Sequence, residues 1–125
     1  MVKTFFSLVL SLLAFSALAN SPVCDPQKFE QAWSRCATCH SVVAGDITMF
    51  GPNLNGVLGR RSGSLSGYVF SPAMAKSNFT WTRSTLDVYL SGPQTLVPNN
   101  RMPFGALTDA QMRNDIICKL ENSNN

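Results

Sequence analysis

Cys36, Cys39 and His40 are the residues of this chain best equipped for chemistry, and they stand together as Cys36-Ala37-Thr38-Cys39-His40. The order is C-x-x-C-H. Two thiols at this spacing on one helical turn can form thioethers with the two vinyl groups on one edge of a porphyrin. The imidazole that follows then meets the iron from the same side, which makes the pattern an attachment site for haem of the c type. A redox dithiol would need only the C-x-x-C portion, and no parallel βαβ setting surrounds it here. A structural zinc site would need four ligands. Cys24 and Cys118 would complete the number, but nothing pairs them as a second knuckle.

A haem iron has a second axial position to fill. His40 is the single histidine of the chain, so a bis-histidine haem is excluded. Methionine is the other common ligand in electron-transfer haems. Met112 falls on the inner stripe of a helical segment and reads as core, and Met74 falls in a short helix and reads as packing. Met49 stands nine residues past His40, a short tether for reaching the opposite face. Met102 lies between Arg101 and Pro103, in an irregular stretch long enough to cross that face. It is the expected ligand.

These residues need elements to position them. Asp25-Pro26 reads as a helix start, with the aspartate as N-cap and the proline in the first turn. Phe29, Trp33 and Cys36 then recur on one helical face. From Ser41 to Gly67 the chain is rich in Gly, Ser and Asn and reads as loop. Ser71-Pro72 opens a short helix to about Ser77. Thr82 or Ser84 caps another, with Leu86, Tyr89 and Leu90 inward, until Gly92-Pro93 ends it. Pro98 and Pro103 prevent Leu96 to Leu107 from being one regular element. Thr108 with Gln111 reads as a capping box for a last helix whose inner stripe is Met112, Ile116 and Leu120. No segment alternates as a strand would. The expected class is all-α with long loops.

The chain has 125 residues, enough for one domain. Its 10 Lys+Arg against 7 Asp+Glu are too even for a nucleic-acid binder. Lys3, the apolar run Phe5 to Phe15, and Ala17-Leu18-Ala19 have the layout of a secretory signal cut before Asn20. Residues 1–19 are therefore expected to be removed and 20–125 to form an exported domain. The apolar run is too short for a membrane helix, so no stable insertion is expected. A domain this small is short of core, and a cofactor would help complete it.

From Arg35 to about Leu120 the chain resembles a class I c-type cytochrome, the family of mitochondrial cytochrome c and its bacterial periplasmic monohaem relatives. The resemblance runs in order through Cys36-Ala37-Thr38-Cys39-His40, Gly51-Pro52-Asn53-Leu54-Asn55-Gly56-Val57-Leu58-Gly59-Arg60, Gly67-Tyr68, Trp81, Thr85-Leu86 with Tyr89-Leu90, and Arg101-Met102-Pro103-Phe104-Gly105. It implies the cytochrome c fold: three main helices, short helices and long loops around one covalently bound haem c. Cys36 and Cys39 would carry the thioethers, and His40 and Met102 would be the axial ligands. Pro52 would accept a hydrogen bond from Nδ1 of His40, fixing the tautomer. Arg60 and Trp81 would contact a buried haem propionate, Tyr89 would donate to the Met102 sulfur, and Phe104 would shield the haem edge. The family's crossing of first and last helices would bring Cys24 and Cys118 to one corner. In an exported protein a disulfide is then expected, two unrelated thiols being the alternative.

This sequence departs from the family in two regions. Phe70 stands where the family often has a propionate-binding tyrosine, and Met74 where an asparagine is common. At positions where mitochondrial relatives carry docking lysines, this chain has Met49, Gln94 and Thr95 and keeps Arg35 and Arg101. A partner surface that is more apolar and less sensitive to salt is expected. The function implied is a monomeric, non-enzymatic electron carrier of the periplasm, serving other redox proteins as donor and acceptor. A haem enzyme or gas binder with a displaceable Met102, or a dedicated electron-accepting subunit of a periplasmic oxidoreductase, is the alternative.

Overall fold

A computed structural model describes residues 24–123. The expected signal peptide, residues 1–19, lies outside them. Five helices follow in order: α1 (Pro26–Trp33), α2 (Pro72–Lys76), α3 (Arg83–Ser91), α4 (Pro93–Leu96) and α5 (Ala110–Asn122). Among the described residues there is no strand, only one isolated bridge between Arg61 and Thr80. The chain is all-α, as its sequence predicts.

Helix starts follow local chemistry. The Asp25 carboxylate accepts from the backbone N–H groups of Gln27 and Lys28, and Pro26 occupies the first turn. Thr82, not Ser84, caps α3 in a reciprocal box with Thr85. The α5 cap differs from the Thr108–Gln111 box expected. Asp109 caps instead, accepting from Gln111 N at 2.8 Å and Met112 N at 3.0 Å. A carboxylate meets the free N–H groups and positive end of a helix better than a hydroxyl one residue earlier. The short α4 was not expected either, since Gly92-Pro93 reads as a stop. Proline suits a first helical turn as well as it ends the helix before.

α1 and α5 pack across one another, and α3 packs against α5. The seam buries Ala32, Trp33, Leu86, Leu90, Ile116, Ile117 and Leu120. Each large apolar side chain withdrawn there contributes about 1.5–3 kcal/mol. At the outer end of the crossing, Cys24 and Cys118 form a disulfide with Cα atoms 5.8 Å apart. Beside it, Lys119 Nζ lies 3.7 Å from Glu30 Oε1 and 4.0 Å from the centroid of the Phe29 ring.

The long loops are cross-braced by backbone bonds. Gly59 N donates to Trp81 O at 2.8 Å, Trp81 N to Arg60 O at 2.9 Å, and Ser62 N to Phe79 O at 2.8 Å. Ser62, fully buried, donates through Oγ to Ser77 O at 3.0 Å and accepts from Phe79 N at 3.2 Å. The Ser41–Phe50 loop is pinned by Asn53, whose Nδ2 reaches Val43 O at 2.7 Å and Asp46 O at 2.8 Å. Asn55 Nδ2 ties the same loop to the end of α5 through Val42 O and Ser123 O.

Candidate haem site

α1 stops at Trp33, and the chain continues as tight turns through the C-x-x-C-H residues. Cys36 N donates to Trp33 O at 2.8 Å, and His40 N donates to Cys36 O at 2.9 Å. This compact turn holds Cys36, Cys39 and His40 along the wall of a cavity of about 680 Å³. Every other residue expected at the site lines the same cavity: Pro52, Arg60, Trp81, Tyr89, Met102 and Phe104. Of the other methionines considered, Met74 also lines it, buried at 7% exposure. Met112 packs half-buried against the core.

His40 Nδ1 lies 2.8 Å from Pro52 O. Burial pushes the imidazole below its ordinary pKa, and the carbonyl bond opposes this in part. A neutral ring that donates from Nδ1 keeps the Nε2 lone pair free for a metal. Gly51 makes room for that ring, since a Cβ there would stand 2.6 Å from His40 Cε1. Cys36 and Cys39 are both free thiols, and burial pushes Cys36 up to about 11, with Arg35 opposing. A redox dithiol needs a lowered thiol pKa, so this environment argues against that reading. The zinc reading fails too: Cys24 and Cys118 are bonded to each other, and no metal-holding group of three or more His, Cys, Asp or Glu occurs among the described residues.

Tyr89 is buried, and its hydroxyl stands 3.6 Å from Met102 Sδ. Burial, reinforced by Tyr68, raises the phenol to about 12, so it is a hydrogen-bond donor at neutral pH. Arg60 is half-buried and donates to Asn53 O at 2.9 Å and Asn55 O at 3.3 Å. Burial lowers its pKa, and it has no carboxylate in ion-pair range among the described residues. A buried guanidinium lacking an anion is a fit for a propionate. Trp81 stacks edge-on between Phe79 and Tyr89, with centroids 4.8 and 5.1 Å away, and so rigidifies that wall.

Phe70 and Met74 make this part of the wall apolar. Asn100, which the sequence does not single out, also lines the cavity at 8% exposure. Its place before Met102 in an irregular segment gave no periodic signal. Only the fold brings it beneath Tyr89.

A cavity walled by two neighbouring free thiols, a carbonyl-oriented imidazole, a tyrosine-contacted thioether and an arginine with no carboxylate beside it among the described residues fits a covalently attached haem. No protein-family model matches the chain. Individual proteins do. A cytochrome c from Kluyveromyces lactis is 44% identical over 84 residues, covering 67% of this chain and 76% of the relative. A cytochrome c2 from Rhodomicrobium vannielii is 39% identical over 114 residues, covering 91% of this chain and 90% of the relative. Among solved structures, cytochrome cH from Methylobacterium extorquens superposes with a TM-score of 0.70 at 34% identity, over 78% of this chain and 98% of its own. The chain belongs to the class I c-type cytochromes. It carries one covalently attached haem c and is an electron-transfer protein, not an enzyme.

Proposed function

We propose that this protein, exported after removal of residues 1–19, carries single electrons between periplasmic redox proteins through a haem ligated by His40 and Met102. Bound haem supplies a one-electron ferrous/ferric couple. The chain's own residues do the rest. Cys36 and Cys39 hold the porphyrin through thioethers, so the cofactor is not lost between partners. Pro52 orients His40 and raises its basicity through the Nδ1 hydrogen bond. Tyr89 donates toward the Met102 sulfur. Arg60 neutralises a propionate, which would otherwise be a costly buried charge. Phe70, Met74 and Trp81 keep water away from this region, and Phe104 shields the edge. His40 and Met102 together would hold the iron from the protein and would leave it no position for bond chemistry.

The observation that carries this reading is the Tyr89 hydroxyl 3.6 Å from Met102 Sδ in a cavity shared with His40. Met102→Ala tests it in the purified holoprotein. The weak far-red band of a methionine–ferric iron bond should vanish, and carbon monoxide should bind the reduced form. Retention of the band in the variant would assign the ligand elsewhere. Strong carbon monoxide binding by the unmodified protein would favour a gas-binding role. We further propose that the Cys24–Cys118 disulfide persists in the exported monomer, where the compartment favours oxidation.

A further inference from the structure

The segment before Met102 turns back on α4 through one side chain. Asn99 takes a left-handed backbone with φ 63°, which asparagine tolerates. Gln94 grips the turn from α4, with Nε2 donating to Asn100 O at 3.0 Å and Oε1 accepting from Asn99 N at 3.0 Å. Asn100 points inward. Its Nδ2 donates to Pro93 O at 2.9 Å and to Val97 O at 2.8 Å. Its Oδ1 accepts from Met102 N at 2.9 Å and from the Tyr89 hydroxyl at 3.4 Å. Two carbonyls on one side and an N–H on the other fix which end is oxygen. Both donors and both acceptor sites of the amide are used.

The tyrosine, by contrast, is oversubscribed. A phenol has one proton to give, and the Tyr89 oxygen faces Asn100 Oδ1 at 3.4 Å and Met102 Sδ at 3.6 Å. Donation to the sulfur withdraws electron density from it and weakens its bond to ferric iron more than to ferrous iron. Donation to Asn100 leaves the sulfur lone pairs for the metal.

We infer that Asn100 is a positioning residue for the Met102 ligand, anchoring its backbone to α4 and competing with its sulfur for the Tyr89 proton. The inference rests on Met102 being the axial ligand. Removing the amide therefore has two separable effects: the ligand leaves iron more easily, and the sulfur becomes a poorer donor while it stays.

The test uses holoprotein variants Asn100→Ala, Asn100→Ser, Tyr89→Phe and the double Asn100→Ala/Tyr89→Phe, followed by the far-red band against pH and by the midpoint potential. In Asn100→Ala, ligand loss should become about five- to tenfold easier, the scale of one buried hydrogen bond left unmade, and the pH at which the band disappears should fall. Its potential should rise. Tyr89→Phe should lower the potential, and in that background Asn100→Ala should no longer raise it, because there is no proton to compete for. A serine can still accept from the N–H two residues on but is too short to reach Tyr89. Asn100→Ser should therefore restore the pH of band loss while keeping the raised potential, and it serves should the alanine variant fail to fold. The same potential shift with and without Tyr89, or a folded variant with unchanged band and potential, overturns the inference. Persistence of the band in Met102→Ala overturns the ligand assignment instead, whatever the Asn100 variants do.

Discussion

Arg83 on α3 and Glu121 on α5 meet as a two-pronged pair, Nε to Oε1 at 3.0 Å and Nη2 to Oε2 at 2.9 Å. The same guanidinium donates through Nη1 to Asn114 Oδ1 at 2.6 Å and through Nη2 to the Cys118 sulfur at 3.5 Å. Its planar fork thus joins α3 to α5 next to the disulfide, a geometry lysine does not reproduce. The pair is about one-third exposed on each side, which screens the attraction. Arg83→Lys should lower stability by about 1 kcal/mol, and Arg83→Ala by somewhat more through lost packing. Denaturant unfolding of the holoprotein measures both; equal stability of all three proteins would mean that the fork is ornamental.

The disulfide encloses most of the chain, with 94 positions separating its cysteines. Chain entropy sets an upper bound of about 4.6 kcal/mol on its contribution. Cys24 is exposed and Cys118 buried, so Cys24→Ser is the cleaner variant because it leaves the α5 core filled. Intact mass with and without reductant should differ by two hydrogen atoms, and Cys24→Ser should unfold at lower denaturant. Two thiols reactive in the native protein would exclude the bond.

Arg60 should matter more to the haem than to the loop it sits in. Arg60→Gln removes a cation near the cofactor, and ferric iron is then easier to hold, so the midpoint potential should fall. The loop should survive, since Gly59 and Arg60 keep their backbone bonds to Trp81. Visible spectra and redox titration separate the two effects; an unchanged potential would place the propionate away from this guanidinium.

Much of this was legible in sequence, for a physical reason. C-x-x-C-H and the Asp25-Pro26 start are local, each deciding its own geometry, whereas the start of α3 is narrowed only to Thr82 or Ser84 until the fold selects Thr82. The last helix is legible in its stripe of Met112, Ile116 and Leu120 but its cap is not, because Thr108 and Asp109 offer competing acceptors to the same N–H groups and the carboxylate prevails. α4 was hidden behind Gly92-Pro93, a pair that both ends one helix and opens another. Asn100 was illegible because its partners, Tyr89, Pro93, Val97 and Met102, converge only after α3, α4 and the Met102 segment have packed. Such convergence has no period.

Phe70 lines the cavity half-buried, with its ring 4.8 Å from Tyr68 and its carbonyl held by Arg101 Nη2 at 2.5 Å. Phe70→Tyr would add a hydroxyl to a wall that lacks one there. The midpoint potential should change, and its pH dependence should shift as a propionate gains a donor. A potential that is unchanged at every pH would count against a propionate near this ring.

The outer surface carries its own expectation. Ile47, Phe50 and Val69 are exposed at 86%, 91% and 79%, and Phe50 borders the cavity. Apolar contact is insensitive to salt, whereas steering by lysines is not. Electron transfer with a physiological partner should vary little between low and moderate ionic strength, and Phe50→Ser should slow it more than Arg35→Gln. A steep fall with salt would return the docking to charge.

The cross-bracing of the loops also has a consequence for how the molecule breathes. The amides of Gly59, Ser62, Phe79 and Trp81 lie outside every helix, yet each is bonded to a residue far along the chain. None can exchange its hydrogen for deuterium unless the two segments part, and they cannot part without baring Ser62 and Trp81 to water. These four amides should therefore exchange as slowly as those of α3 and α5. The least regular half of the chain would then open only together with its helices, as one cooperative unit.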